Sequence, residues 1–177
     1  MTMPPRLRRV VLTAHVVTSV GWLGAVVAYL ALDVTAVSSR DLELVRAAYL
    51  AMELTVFAVI VPLAVVSVLI GIVNALGTPW GLIRHYWVLV KLFLTLFATT
   101  VLLLEAQTIR SMAEVARAGA DPRELPGSLP HSLGGIVVLL IVTTLSIYKP
   151  RGMTRYGWRK QQEQRRKQMV QPTARVS

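Results

Sequence analysis

No cysteine occurs among the 177 residues of this chain. That absence excludes disulfides, zinc–thiolate sites, iron–sulfur clusters and thiol catalysis together. Histidine is scarce as well: His15, His85 and His131 are the full set, and a protein holding two haems across a bilayer on paired histidines needs more than that. The six methionines are scattered over termini, loops and tail, which gives no sulfur site for copper. No nucleotide-binding loop, carboxylate pair at glycosidase spacing or Ser/His/Asp set stands in a fitting context. Charged residues make up only 16% of the chain and are missing from long stretches. Those stretches lack the polar face that a helix in a water-soluble domain presents to solvent.

What is there is apolar. Hydrophobic residues reach 54% and the mean hydropathy is +0.57, so the solvent for much of the chain is lipid. Residues 10–32 carry no charged side chain apart from His15, and 23 residues at ~1.5 Å each make about 34 Å of helix, enough to cross a hydrocarbon core. Residues 54–76 form a second such run, and residues 86–104 a third, interrupted only by Lys91. Pro126, Pro130 and Gly134-Gly135 delay the fourth, leaving residues 131–148. The fold expected is all-α, an up-and-down four-helix membrane bundle over residues 1–150 followed by a basic tail, 151–177. Gly21, Gly24 and Gly71 permit close contact between its helices.

Orientation follows from the basic residues, nineteen Lys and Arg against nine Asp and Glu. With the N-terminus inside, thirteen of them fall on the cytoplasmic side and five outside, which predicts both termini in the cytoplasm. The patch Arg6, Arg8, Arg9 before the first run reads as an uncleaved signal anchor rather than a secretory or twin-arginine signal. Arginine outnumbers lysine fifteen to four amid heavy Ala and Val usage, a bias of GC-rich bacterial genomes. The expected location is therefore a bacterial inner membrane.

Helices 2 and 3 extend beyond the membrane on the outer side. Ser38 and Asp41 form a capping signal ahead of helix 2, with Asp41 and Glu43 in its first turn. Ile109, Met112 and Ala116 prolong helix 3 at i, i+3 and i+7 until Gly119 and Asp121-Pro122 stop it. The breakers Gly77-Thr78-Pro79-Trp80-Gly81 make the inner turn, and Trp80, Tyr86 and Trp87 suit the interface.

Two ionisable residues lie within the spans, His15 and Lys91, and intramembrane ionisable groups mark function by default. Each sits roughly 8 to 9 Å below the cytoplasmic boundary by helix rise. Thr18, Ser19 and Trp22 share the His15 face, and Thr95 stands one turn from Lys91, which predicts a small polar layer. The bland alternatives are a snorkelling lysine and a histidine that bonds a neighbouring helix. His85 reads as interfacial, and His131 is on the opposite side from His15. In the tail, Arg151, Arg155, Arg159, Lys160, Arg165, Arg166 and Lys167 with Tyr156 and Trp158 are expected on anionic lipid rather than nucleic acid. The last residues, Gln171 to Ser177, are expected to be disordered.

His15, Trp22 and Gly24 on helix 1, with Trp87 and Lys91 opening helix 3, resemble the pattern of small helical membrane proteins related to the copper-resistance CopD domain and the HemJ-type protoporphyrinogen oxidases. That resemblance implies His15 and Lys91 as cofactor-binding positions and haem as the cofactor. Helix 3 reads Leu102-Leu103-Leu104-Glu105 where the HemJ group has a histidine. The stretch Ile147-Tyr148-Lys149-Pro150-Arg151-Gly152-Met153-Thr154-Arg155-Tyr156-Gly157 resembles more closely a family of bacterial four-helix integral membrane proteins with a domain of unknown function. This likeness covers nearly the whole chain and implies no activity. The leading expectation is a non-enzymatic structural or accessory membrane component, with a second copy or a partner membrane subunit left open. The alternatives are a haem-binding oxidoreductase or porphyrin-handling protein, and a small transporter or copper permease.

Overall fold

The computed structural model describes residues 3–77, 81–125, 127–150 and 152–170. The breakers Thr78, Pro79 and Trp80, together with Pro126, Arg151 and Gln171 to Ser177, lie outside the described residues. Five helices follow one another: α1 (Pro5–Ser38), α2 (Leu42–Leu76), α3 (Tyr86–Arg117), α4 (Leu129–Tyr148) and α5 (Arg155–Val170). The first four are long and apolar enough to cross a membrane. Among the described residues the only β pairing is an isolated antiparallel bridge, His85 with Met153.

Helix ends follow from local chemistry. Pro5 opens α1, where its missing N–H costs nothing. The turn into α2 is built by Ser39, whose Oγ accepts the Asp41 N–H, and by Asp41, whose carboxylate accepts the Glu43 N–H at 3.0 Å. Asp41 is thus the N-cap itself, not the first-turn acid of a cap at Ser38. Helix α3 runs the full expected length and closes in a Schellman motif, with Gly119 at φ +79°, its N–H on the Ala116 carbonyl, and the Ala120 N–H on that of Val115. Helix α4 starts at Leu129, two residues before the expected His131, because Pro130 fits a first turn. Gly134 and Gly135 lie within it and do not delay it.

Helix α2 contains one wide π turn, Val56–Ile60, closed by the Val61 N–H on the Val56 carbonyl. Its cause is Pro62. In a regular α turn the pyrrolidine ring would strike the carbonyl four residues back, and widening the turn relieves that clash.

The helices form a ring in which α1 packs on α2 and α4, and α3 packs on the same two, leaving α1 and α3 on a diagonal. The end with residues 39–41, 118–125 and 127–128 is the distal end, and the end with residues 77 and 81–85 is the proximal one. The tight core is distal, where Trp22, Tyr29, Tyr49, Met52, Ile109 and Met112 are buried together. Distal side chains also clamp the turns: Arg46 donates to the Gly119 and Ala120 carbonyls, Arg117 pairs with Glu53, and Arg123 reaches the Ser39 carbonyl. Large apolar side chains cover the outside instead, Phe93 and Ile147 each at 71% exposure and Leu104 at 67%.

At the proximal end the tail is not loose. Thr154 donates its hydroxyl to the Ile83 carbonyl at 2.7 Å and its N–H to that of Arg84 at 3.0 Å. Its Oγ1 then accepts the Gly157 N–H and caps α5. Tyr86, whose N–H opens α3, finds the Gly152 carbonyl at 3.4 Å. Gly157 presses so closely on the 83–86 segment that an added Cβ would fall 2.5 Å from the Arg84 carbonyl oxygen.

Candidate functional site

The stripe Trp22, Val26, Tyr29, Asp33 and Ala36 on α1 repeats at four, three, four and three residues, so all five face inward. Asp33 is carried by this stripe into complete burial. Its two carboxylate oxygens accept one hydroxyl each, Ser128 at 3.0 Å and Ser132 at 2.9 Å. Both serines come from the start of α4, where Ser128 is the residue before the helix and Ser132 lies one turn in. The Tyr29 phenol sits beside Ser128. No Lys or Arg of the described residues forms an ion pair with Asp33.

Next to this cluster is a cavity of about 390 Å³. All four long helices line it, with Trp22, Val26, Ile60, Leu102, Val138 and Leu139 among its apolar walls. It exists because α3 stands back: between Val88 and Ala106 no residue of that helix is fully buried. The π turn contributes Val56 and Ile60 to the lining, a common setting for such turns. Its polar wall is Tyr29, Ser128, Ser132, Glu105 and His131, and the His131 Nε2 lies 3.2 Å from the Glu105 carboxylate.

The sequence-derived candidates sit elsewhere. His15 packs against α2, its ring 2.9 Å from where a Cβ on Gly71 would be, and its buried Nδ1 has no hydrogen-bond partner. Lys91 turns the other way, donates to Ser146 of α4 at 2.6 Å and lies 5.7 Å from the Trp87 ring centre. The Lys91 charge acts on His15 across the bundle, but no hydrogen bond joins them. Of the expected polar layer, Ser19 also bonds across, to Ser67 at 2.8 Å. Thr18 and Thr95 bond back to their own helices, and Trp22 belongs to the distal core. In the tail, Arg155, Arg159, Lys160, Arg165, Arg166 and Lys167 are all exposed on α5, and Arg151 lies outside the described residues.

Haem has no fitting place at His15. Its ring fills the contact between α1 and α2, and the cavity holds a different histidine already placed on Glu105. Among the described residues no three His, Asp or Glu side chains gather as metal ligands. In the distal turn, hydrogen bonds from the Arg123 side chain and backbone hold the Asp121 carboxyl down at about 2.

Reading from sequence missed the Asp33 cluster. The signal was present in the 22, 26, 29, 33 spacing, which places the acid on the same face as Trp22 and Tyr29. Comparison with known families, with curated proteins and with solved structures finds no match to this chain.

Proposed function

We propose that this chain is a four-span integral protein of a bacterial cytoplasmic membrane, with its proximal end and both termini inside. It acts as a non-enzymatic accessory component that holds a small amphipathic molecule in the outer half of its bundle. The observation that carries this reading is the cavity itself, apolar on three sides and polar toward the distal end. A pocket of that design, buried among helices, is the ordinary form of a small-molecule site. Its chemistry favours holding over reacting. The two serine hydroxyls are committed to a carboxylate, and the histidine is placed on Glu105 rather than on a nucleophile. The apolar outer girdle and the basic proximal end support the membrane setting and its orientation. The basic face of α5 then lies at the headgroups of the inner leaflet, where anionic lipid attracts it.

The test uses Gly134, which lines the cavity and has open space where a side chain would go. In Gly134→Leu the first added carbon meets no atom within 4 Å, so the larger side chain takes up space at the cavity wall. Native mass spectrometry of the detergent-purified chain is expected to find a bound amphiphile on the parent protein and to lose it in this variant. Equal retention by both proteins overturns the cavity as the site.

A further inference from the structure

We infer that the occupant of this cavity is a lipophilic ammonium ion, a molecule with an apolar body and a positively charged N–H head. The inference rests on the cavity reading above and adds the chemical class. It follows from the direction of the hydrogen bonds. A serine hydroxyl has one proton to give. Ser128 has Asp33 as acceptor and Ser132 has Asp33 and the Leu129 carbonyl, so both protons are taken up within the protein and both hydroxyl oxygens remain able to accept. Behind them stands the Asp33 carboxyl group, fully shut off from solvent. Beside them stands a second, Glu105, with a side chain 22% exposed. Apart from the Tyr29 phenol beside Ser128 and the His131 ring on Glu105, the polar wall is therefore made of acceptors backed by acids.

Apart from His131, which stands 3.2 Å from Glu105, the cations that could neutralise those acids are held elsewhere. Arg110 stacks over the Phe57 ring at 4.7 Å, Arg117 pairs with Glu53, and Arg123 pairs with Asp121. No Lys or Arg of the described residues lines the cavity. The one basic group there, His131, sits at the rim with 47% of its side chain exposed. In a medium of low dielectric constant such an imbalance selects strongly by charge. An ammonium head completes the acceptor wall, a neutral hydroxyl does so only in part, and an anionic head is repelled.

A matched series isolates the head group: dodecylammonium, dodecanol and dodecanoate, each titrated into the full chain in a non-ionic detergent and read by native mass spectrometry. Dodecylammonium is expected to bind about tenfold more tightly than the other two. Glu105→Gln is expected to erase most of that preference, weakening dodecylammonium far more than dodecanol. Asp33→Asn should act likewise where it folds, and Glu105→Gln at the rim keeps the test decisive where it does not. Equal or tighter binding of dodecanol or dodecanoate overturns the ammonium assignment and leaves the cavity reading standing. So does a preference that survives Glu105→Gln. Failure of all three to bind overturns both.

Discussion

A carboxylate buried with two hydroxyl donors is stable only while both donors remain. Ser132→Ala strands one oxygen of Asp33 away from water, and an unsatisfied buried acceptor costs about 1–3 kcal/mol. The expected loss is read as a lower midpoint in chemical unfolding of the detergent-purified protein. Joint replacement by Asp33→Leu, Ser128→Ala and Ser132→Ala removes the need along with the donors, so its cost falls well below the sum of the single changes. A different acid governs the distal turn. The Asp121 carboxyl is held at about 2 against an ordinary 3.8. A depressed acid stabilises its contact above the ordinary value and releases it as pH falls toward the folded one. Hydrogen exchange at the Arg123 N–H, which donates to Asp121 at 3.0 Å, should therefore lose protection between pH 3.8 and about 2. Asp121→Asn should show no such step. Sequence shows these roles only in part: Asp121 marks a helix stop and Asp33 shares a face with Trp22 and Tyr29, but neither reveals its partners. Asp33 follows directly on an apolar run and resembles any acid at a helix end, because the serines that bury it stand 95 and 99 residues further along.

Helices were far more legible, since length and apolarity are local properties. All four apolar runs became helices, and the distal extension of the second and third followed from Asp41, Gly119 and the Ile109, Met112, Ala116 stripe. What could not be read was how elements meet. His15 and Lys91 do share the proximal half, yet helix rotation sends one to Gly71 and the other to Ser146. The docking of α5 was equally hidden, for it depends on backbone groups of residues 83–86 that have no sequence signature. Gly157 is the hinge of that contact. Gly157→Ala places a Cβ against a carbonyl oxygen that cannot swing aside, and forced overpacking of this kind costs about 1–3 kcal/mol. The tail should then open, with faster exchange at Thr154 and faster tryptic cleavage after Arg155 and Arg159. Gly152→Ala meets only an ordinary contact at 3.8 Å and serves as the control that leaves both unchanged.

The absence of cysteine allows the proposed placement in the membrane to be tested without background labelling. Three single-cysteine variants distinguish water on one side, water on the other and lipid. Ala120→Cys is exposed in the distal turn, Gln162→Cys is exposed on α5, and Val65→Cys lies midway along α2 on its outer surface, with Val65 40% exposed on the bare bundle. If the positive flanks hold the proximal end inside, an impermeant maleimide labels Ala120→Cys in intact cells. Gln162→Cys then reacts only once the membrane is opened. Val65→Cys should resist under both conditions, because hydrocarbon covers a surface that the protein itself leaves bare. Reversed labelling of the first two would invert the orientation and place the cavity in the inner half. Ready labelling of Val65→Cys in intact cells would mean that water reaches the apolar girdle, and the lipid-facing bundle on which the cavity argument stands would be lost.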